Sequence, residues 1–135
     1  MNINPFSYAV EIEIEVSLNS SESDDKVMGA VRNMLIGVEP VVSLDSGSVQ
    51  ASTSDVNCLR VFYRQINDKL IRRVVRRLLL KNLGTDSTWI YLNKQAAYMG
   101  KVAICDNESE SPLGPIKMTL RSTKIIELID WLTLL

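Results

Sequence analysis

Near the start of the chain, apolar and polar residues alternate over residues 8–16. This two-residue period predicts a strand whose buried side carries Tyr8, Val10, Ile12, Ile14 and Val16. The opposite side carries Glu11, Glu13 and Glu15. Three neighbouring carboxylates invite a catalytic interpretation, but exposed acidic residues on a strand are more typical of a solvated surface that resists aggregation. We therefore predict a half-buried strand with an acidic outer face.

Further strands are predicted where short apolar, β-branched or alternating segments recur, at residues 41–44, 49–51, 89–92, 101–104 and 116–120. The residues Asp45-Ser46-Gly47-Ser48 separate the first two of these segments and predict a hairpin. Asn93 is a favourable N-cap, so a short helical turn is expected over residues 94–99. Gly100 can adopt the left-handed conformation that closes such a turn.

Helical spacing of apolar residues predicts a first helix that follows the polar, acidic residues 20–25 and runs to about residue 36. A last helix is predicted to begin at Ser122 or Thr123. Its core-facing residues, with Trp131 nearby, are predicted to be Ile125, Ile126, Ile129 and Leu132.

The segment from residue 55 to residue 83 has helical periodicity throughout, but its apolar stripe changes direction. The first half places Leu59, Phe62, Tyr63, Ile66 and Leu70 on one side. The second half places Ile71, Val74, Val75 and Leu78 about a quarter turn away. A straight helix cannot bury both stripes, so we predict a break at Asn67-Asp68, with Asp68 capping a second helix that continues to Leu83 and ends at Gly84.

The 135 residues are 46% hydrophobic, which is enough for one domain, residues 1–135, with its own core. Strand and helix patterns occur together in the chain. We therefore predict a single-domain α+β sandwich, in which helices cover a mostly antiparallel sheet.

Several function classes find no support. The chain has no histidine, and Cys58 and Cys105 lie far apart, so neither a metal site nor a cofactor is expected. Nucleophile motifs and glycine-rich phosphate loops are missing, which argues against an enzyme or a small-molecule substrate. There is neither a signal-like start nor a stretch of about 20 apolar residues, so we expect a cytoplasmic protein with no membrane association.

Basic residues are concentrated in one segment, although the net charge is only −1. Between Arg60 and Lys81, a single acid, Asp68, accompanies eight cations. The second half of this segment places Lys69, Arg72, Arg73, Arg76 and Arg77 opposite Ile71, Val74 and Leu78. Such a cationic ridge can bind phosphates, because arginine engages phosphate oxygens with two donors. It can equally be a solvated helix face whose arginines pair with the acidic first strand or with a dimer mate.

Three runs, YLNKQAAYMGKV, ESPLGPI and IDWL, occur in an order and spacing that resemble an archaeal family of small proteins, uncharacterised protein family 0201, that is predicted to bind RNA. The similarity extends over nearly the whole chain. It implies a fold like that of the large-subunit ribosomal protein that binds the smallest ribosomal RNA. It also implies a homodimer and a role in RNA recognition.

We therefore predict a non-catalytic module that binds the phosphate backbone of structured or double-stranded RNA. The predicted contact residues are those of the ridge with Lys94 and Lys101 as helpers: Lys69, Arg72, Arg73, Arg76, Arg77, Lys81, Lys94 and Lys101. The alternative is a dimeric scaffold or protein-interaction module in which the same arginines form salt bridges.

Other polar positions leave two interpretations open. Asn93, Lys94 and Gln95 can form a recognition surface, or Asn93 can simply cap a helix. On the predicted strand at 116–120 and just beyond it, Lys117, Thr119 and Arg121 can extend a basic surface or form the wet side of a sheet. Tyr91 and Tyr98 are the candidates for stacking on bases, and both also suit a core.

Overall fold

The computed structural model describes residues 9–35, 37–43, 45, 47–111 and 113–134. Its strands are β1 (Glu11–Ser17), β2 (Val41–Ser43), β3 (Ser48–Thr53), β4 (Ser87–Leu92), β5 (Ile104–Cys105) and β6 (Ile116–Arg121). Its α-helices are α1 (Asp24–Met34), α2 (Arg60–Gln65), α3 (Lys69–Lys81), α4 (Lys94–Tyr98) and α5 (Ile125–Thr133). Two short 3₁₀ turns, Val56–Leu59 and Glu108–Glu110, precede α2 and β6.

The strands form one sheet in the order β2-β3-β1-β6-β4-β5. Every pair of neighbouring strands is antiparallel. β1 lies in the middle, with Ile14 opposite both Ala51 of β3 and Met118 of β6. This arrangement confirms the α+β class and the hairpin between β2 and β3.

One face of the sheet forms the core. The alternating residues Ile12, Ile14 and Val16 of β1 are at most 1% exposed, and they join apolar residues of the other strands and of the helices in a single cluster. Each fully buried aliphatic side chain of this kind contributes about 1.5–3 kcal/mol to folding. Within the described residues, α1 packs against β2 and β3, and α3 packs against β4 and α5. The fold therefore has two layers.

The break between α2 and α3 is confirmed. α2 ends at Gln65 with Ile66 as its C-cap, and Asp68 has extended backbone angles and is the N-cap of α3. The Asp68 carboxylate accepts hydrogen bonds from the amides of Leu70 and Ile71, at 2.9 and 3.2 Å. The helix ends at Lys81 with Asn82 as C-cap, two residues before the predicted end, and the Gly84 amide bonds to the Ser87 carbonyl instead of closing the helix.

The predicted strand at residues 101–104 is wrong for its first three residues. β5 contains only Ile104 and Cys105. The Val102 amide donates to the Gln65 side chain at 2.6 Å rather than to a neighbouring strand, and the Ala103 carbonyl accepts from the Asn93 amide at 2.8 Å. These contacts outside the ladder replace the strand pairing that the apolar sequence suggested.

The last helix also differs from its prediction. It begins at Ile125, because the Ser122 hydroxyl accepts from the Lys124 amide in a turn before the helix. Ile126 was predicted to face the core but is 46% exposed. Leu128, which was not among the predicted core residues, is buried instead. Ile125, Ile129 and Leu132 are buried as predicted. Parts of three other predictions, at Tyr8, Ile36 and Leu44, lie outside the described residues.

Replacing Asp68 with alanine should lower the free energy of unfolding by about 1 kcal/mol, because α3 loses its side-chain cap. Chemical denaturation of the purified variant measures this change. Asp68→Ser is the matched control, since a serine hydroxyl can accept the same amide bond, and it should retain most of the stability. Equal stability losses in both variants would contradict the capping role.

Candidate nucleic-acid interface

The outer side of α3 presents an inclined row of cations, because a spacing of four residues moves about 40° around the helix at each step. Lys69, Arg73, Arg77 and Lys81 are spaced by four residues and are all exposed. Lys69 and Lys81 are the first and last of the 13 residues of α3, so the row extends for about 18 Å along the helix axis. Lys69, Arg73 and Lys81 have neither an ion pair nor a side-chain hydrogen bond to the part of the chain that the structure describes. We call these four residues the basic row.

Arg76, which the sequence placed in the same ridge, turns toward α5 instead. Its Nη1 donates to Asp130 Oδ1 at 2.7 Å and to Thr133 Oγ1 at 3.2 Å. The two charged side chains are only 39% and 37% exposed. Arg76 therefore joins α3 to α5.

Arg72 is held in a similar way. Its Nη1 donates to the Leu134 carbonyl at 2.9 Å, and its Nη2 donates to Asn67 Oδ1 at 2.7 Å. The guanidinium also lies over the Tyr63 ring, 5.6 Å from its centroid, and that ring stacks on Trp131. Arg72 thus uses all three of its guanidinium nitrogens inside the protein, whereas Arg76 uses Nη1, and the contacts of both residues fix the direction of α3.

Aliphatic side chains border the basic row where the sequence predicted burial. Ile71 and Val74 are 38% and 37% exposed, and Leu70 is 70% exposed. The buried residues of α3 are Val75, Leu78 and Leu79. The prediction that Ile71 and Val74 are buried is therefore wrong. The buried side of α3 is rotated from them by part of a turn, because α5 and β4 contact α3 on the side of Val75 and Leu79.

Lys101 is exposed and lies beside the junction of α2 and α3. The Gln65 side chain, at the end of α2, donates to the Gly100 carbonyl at 2.7 Å and accepts from the Val102 amide. Gly100 has the positive φ of 73° that was predicted for it. Lys101 is thus presented next to the start of α3.

Lys94 is buried inside the protein and has a structural role, so its predicted contact with RNA is wrong. Its side chain is fully buried, at 0% exposure, so no external phosphate can reach it. The Nζ donates to the Ser17 carbonyl at 3.0 Å, to the Leu113 carbonyl at 2.8 Å and to Glu22 at 3.0 Å. All three ammonium donors are therefore satisfied inside the protein.

Glu22 and Tyr98 complete this arrangement, which we call the Lys94 cluster. The Tyr98 hydroxyl donates to Glu22 Oε2 at 2.8 Å. Burial by itself raises the pKa of Glu22, but hydrogen bonds from Asn19, Lys94 and Tyr98 outweigh it and lower the pKa to about 2. Burial and the bond to Glu22 raise the pKa of Tyr98 to about 12. At neutral pH the cluster therefore holds the charged carboxylate of Glu22 3.0 Å from Lys94 Nζ.

The loop before β6 is shaped around the same ammonium. Leu113 has a φ of 65°, which is uncommon for a residue other than glycine and costs about 1–3 kcal/mol. Its carbonyl accepts from Ser17 Oγ, Asn19 Nδ2 and Lys94 Nζ, at 3.1, 2.9 and 2.8 Å. At Gly114, with a φ of 93°, a Cβ would lie 2.6 Å from Ser17 Oγ. The Asn93-Lys94-Gln95 motif thus builds a junction, and Asn93 caps α4 as predicted.

The outer face of the sheet is separate from the basic row. Arg121 pairs with Glu13, and Gln50 donates to Glu15 at 3.2 Å. The Lys117 ammonium lies 4.8 Å from the centroid of the Trp89 ring. These polar side chains satisfy one another, as expected for the wet side of a sheet.

Aromatic side chains on this outer face are already in contact with neighbours. Trp89, which sequence reasoning did not single out, lies 4.8 Å from Tyr91 between ring centroids. Burial and a bond to Glu108 raise the pKa of Tyr91. Alternation along β4 was the signal that placed Trp89 and Tyr91 on one side of the strand.

Metal binding and a membrane-spanning helix have no supporting residues in the part of the chain that the structure describes. Among the described residues, no three His, Cys, Asp or Glu side chains are placed to hold a metal ion. Within the same ranges, none of the helices combines the length and apolar character that a bilayer span requires. Within the described residues, the cationic side of α3 is the candidate surface for binding an anionic ligand.

Fold and surface together define a two-layer α+β protein with a cationic helix face. Residues 11–122 match a family model described as RNA binding. A UPF0201 protein of Sulfurisphaera tokodaii is 40% identical over 126 residues, which cover 91% of this chain and 86% of that protein. A UPF0201 protein of Methanothermobacter thermautotrophicus is 35% identical over 122 residues, which cover 90% of this chain and 89% of that protein. The chain belongs to the UPF0201 family.

Solved structures agree with this assignment. An uncharacterised UPF0201 protein with a crystal structure has 31% sequence identity to this chain and a TM-score of 0.76. The match covers 91% of this chain and 92% of that chain. The UPF0201 protein of Methanococcus jannaschii has the same TM-score at 23% identity, with 91% of this chain and 98% of that chain covered. The second comparison shows a shared fold.

The Lys94 cluster should make the free energy of unfolding depend on pH in the acidic range. Glu22 has a pKa of about 2 in the folded protein against 4.5 for an ordinary glutamate. Its stabilising effect is therefore present above pH 4.5 and is lost as the pH falls toward 2. Glu22→Gln should be less stable at pH 7 by about 3–5 kcal/mol, because Lys94 loses its buried partner.

Denaturation measured between pH 7 and pH 2 tests this expectation. The Glu22→Gln variant should lose less stability across the acidic range than the unaltered protein does. Glu11→Gln, an exposed glutamate of β1, serves as the control and should keep the original profile. Identical acid profiles for the unaltered protein and the Glu22 variant would show that Glu22 does not supply this dependence.

Proposed function

We propose that the chain is a non-catalytic, cytoplasmic RNA-binding module that contacts the phosphate backbone of structured or double-stranded RNA through the basic row. The supporting observation is the row of exposed cations on α3, about one turn apart and about 18 Å long, with three members unpaired within the described residues. Lys101, at the start of this row, extends the proposed surface. The family description, RNA binding, agrees with this proposal.

Physical chemistry favours backbone contact over base recognition. Arginine and lysine donate charge-assisted hydrogen bonds to phosphate oxygens, and such contacts carry no sequence information. Double-stranded RNA is recognised mainly by shape and backbone contacts, because its deep major groove is closed to side chains. The row suits this mode, since Trp89 and Tyr91 lie on the outer face of the sheet. The aromatic pair near α3, Tyr63 and Trp131, is stacked on itself, with Arg72 over the Tyr63 ring.

In this proposal Arg72 and Arg76 act through α3 rather than on RNA. Their bonds to Leu134 and Asp130 hold the helix against α5. The remaining contact set is Lys69, Arg73, Arg77, Lys81 and Lys101. A helix fixed at its inner side presents these cations with a smaller loss of conformational entropy on binding.

The second candidate is a dimeric scaffold whose arginines form salt bridges. It is favoured by the pairs Arg76–Asp130 and Arg77–Asp106, in which α3 arginines are bound within the chain. Its specific form, with these arginines paired to the acidic strand, receives no support, because Glu13 pairs with Arg121. Lys69, Arg73 and Lys81 remain for RNA in either case.

Replacing Arg73 with glutamine should weaken binding to duplex RNA roughly tenfold, and by a similar factor for unrelated sequences. The slope of log affinity against log salt concentration should flatten by roughly 0.7–0.9, the value for one lost phosphate contact. Stability should change little, because Arg73 is exposed and has no partner in the described residues. Fluorescence anisotropy at several salt concentrations measures both effects.

Arg32→Gln is the matched control. Arg32 is an exposed arginine of α1 that pairs with Glu39, and α1 packs near β2 and β3 rather than beside α3. Its replacement should leave affinity and salt slope nearly unchanged. If the folded Arg73 variant bound RNA like the unaltered protein, the phosphate role would be abandoned in favour of the scaffold.

We also propose that the protein is a two-fold homodimer. The exposed aliphatic side chains Leu70 and Val74 of α3 offer an apolar contact that a second copy can cover. Light scattering should give twice the mass of one chain for the unaltered protein and one chain mass for Val74→Glu. Ile126→Glu, at an exposed aliphatic residue of α5, should remain dimeric. A monomeric unaltered protein at micromolar concentration would remove the proposal.

A further inference from the structure

The acidic loop, residues 106–110, lies against Arg77, the third member of the basic row. Asp106 Oδ1 is 3.2 Å from Arg77 Nη2, so a carboxylate already occupies this arginine. The loop is ordered by its own contacts, since Glu110 accepts from the Asp106 amide at 3.2 Å and Asn107 accepts from the Ser109 amide at 3.0 Å. The carboxylate is therefore presented to Arg77 by a loop with a defined conformation.

Two arginines of α3 form ion pairs of different kinds. Arg76 and Asp130 are 2.7 Å apart, and the same Nη1 also bonds to Thr133. Arg77 and Asp106 form a single longer contact, and their side chains are 58% and 59% exposed. An exposed pair with one hydrogen bond is weak and is exchanged readily for other ligands. The Arg77 contact is thus the displaceable one.

We propose that Asp106 is an intramolecular competitor that occupies Arg77 until an RNA phosphate displaces it. A carboxylate and a phosphate present similar oxygen acceptors to a guanidinium, so both can use the same donors. An RNA phosphate must displace Asp106 before it can use the Nη2 side of Arg77, and the remaining donors of this guanidinium lie beside the Asp106 carboxylate. This inference rests on the proposed function and assigns Asp106 as the residue that sets the strength of the interface.

The competition divides the basic row into two unequal parts. Lys69, Arg73 and Lys81 bind phosphate without losing an existing partner in the described residues, whereas Arg77 must release Asp106 from its Nη2. Glu108 and Glu110 add further negative charge to the same loop. RNA contact should therefore be strongest near Lys69, Arg73 and Lys101, and Arg77 should contribute less than Arg73 does.

A double-mutant cycle tests the competition with a short duplex RNA as the probe. Asp106→Asn removes the charge and should tighten binding roughly two- to fivefold, the range expected for an exposed ion pair. In a chain that already carries Arg77→Gln, the same Asp106→Asn change should have little effect. Glu108→Gln, in the same loop, is the control and should change affinity less than Asp106→Asn does.

The outcomes separate the two proposals. Equal gains from Asp106→Asn with and without Arg77 would overturn the competition and leave only general repulsion of phosphate. No gain, with Arg73→Gln still weakening binding, would overturn the competition while the proposed function stands. If neither change affected binding, both proposals would fall. Asp130→Asn should lower the melting temperature without tightening RNA binding, as expected for a residue that positions Arg76.

Discussion

The buried ammonium of Lys94 is the constraint on which the described fold depends most. A charge removed from water is tolerated only when acceptors surround it, and here the acceptors come from the end of β1, from Glu22 before α1 and from Leu113 before β6. Ser17 and Glu22 are neighbours in the chain, but they precede Lys94 by 77 and 72 residues, and Leu113 follows it by 19. Satisfying one side chain therefore fixes their relative positions, and even the unfavourable backbone angles of Leu113 are held by the bonds to its carbonyl.

The basic row follows from this junction through a chain of contacts. α4 begins at Lys94, Gly100 reverses the chain behind it, and Gln65 bonds to both the Gly100 carbonyl and the Val102 amide. Gln65 ends α2, after which Asp68 starts α3 in a new direction. Arg72 and Arg76 then hold α3 against α5. The outward direction of the cations is thus a consequence of internal packing.

Local patterns predicted what depends on local physics. The period of β1, the cap at Asn93, the turn at Gly100 and the break at Asp68 each arise from neighbouring residues, and each was visible in the sequence. Which side of α3 is buried depends on α5 and β4, so Ile71 and Val74 were misplaced. Charge alone does not reveal burial, so Lys94 was taken for a ligand of RNA although its acceptors lie up to 77 residues away.

Net charge is a poor guide to this surface. The value of −1 averages the acidic face of β1 with the cations of α3, yet the two lie on opposite sides of the molecule. A helix layer alone is about 10 Å thick, and at physiological salt the Debye length is about 8 Å. A phosphate near α3 therefore responds to the basic row and to the acids beside it far more than to Glu11 or Glu15. The local carboxylate of Asp106 consequently matters more to the potential there than the whole acidic strand does.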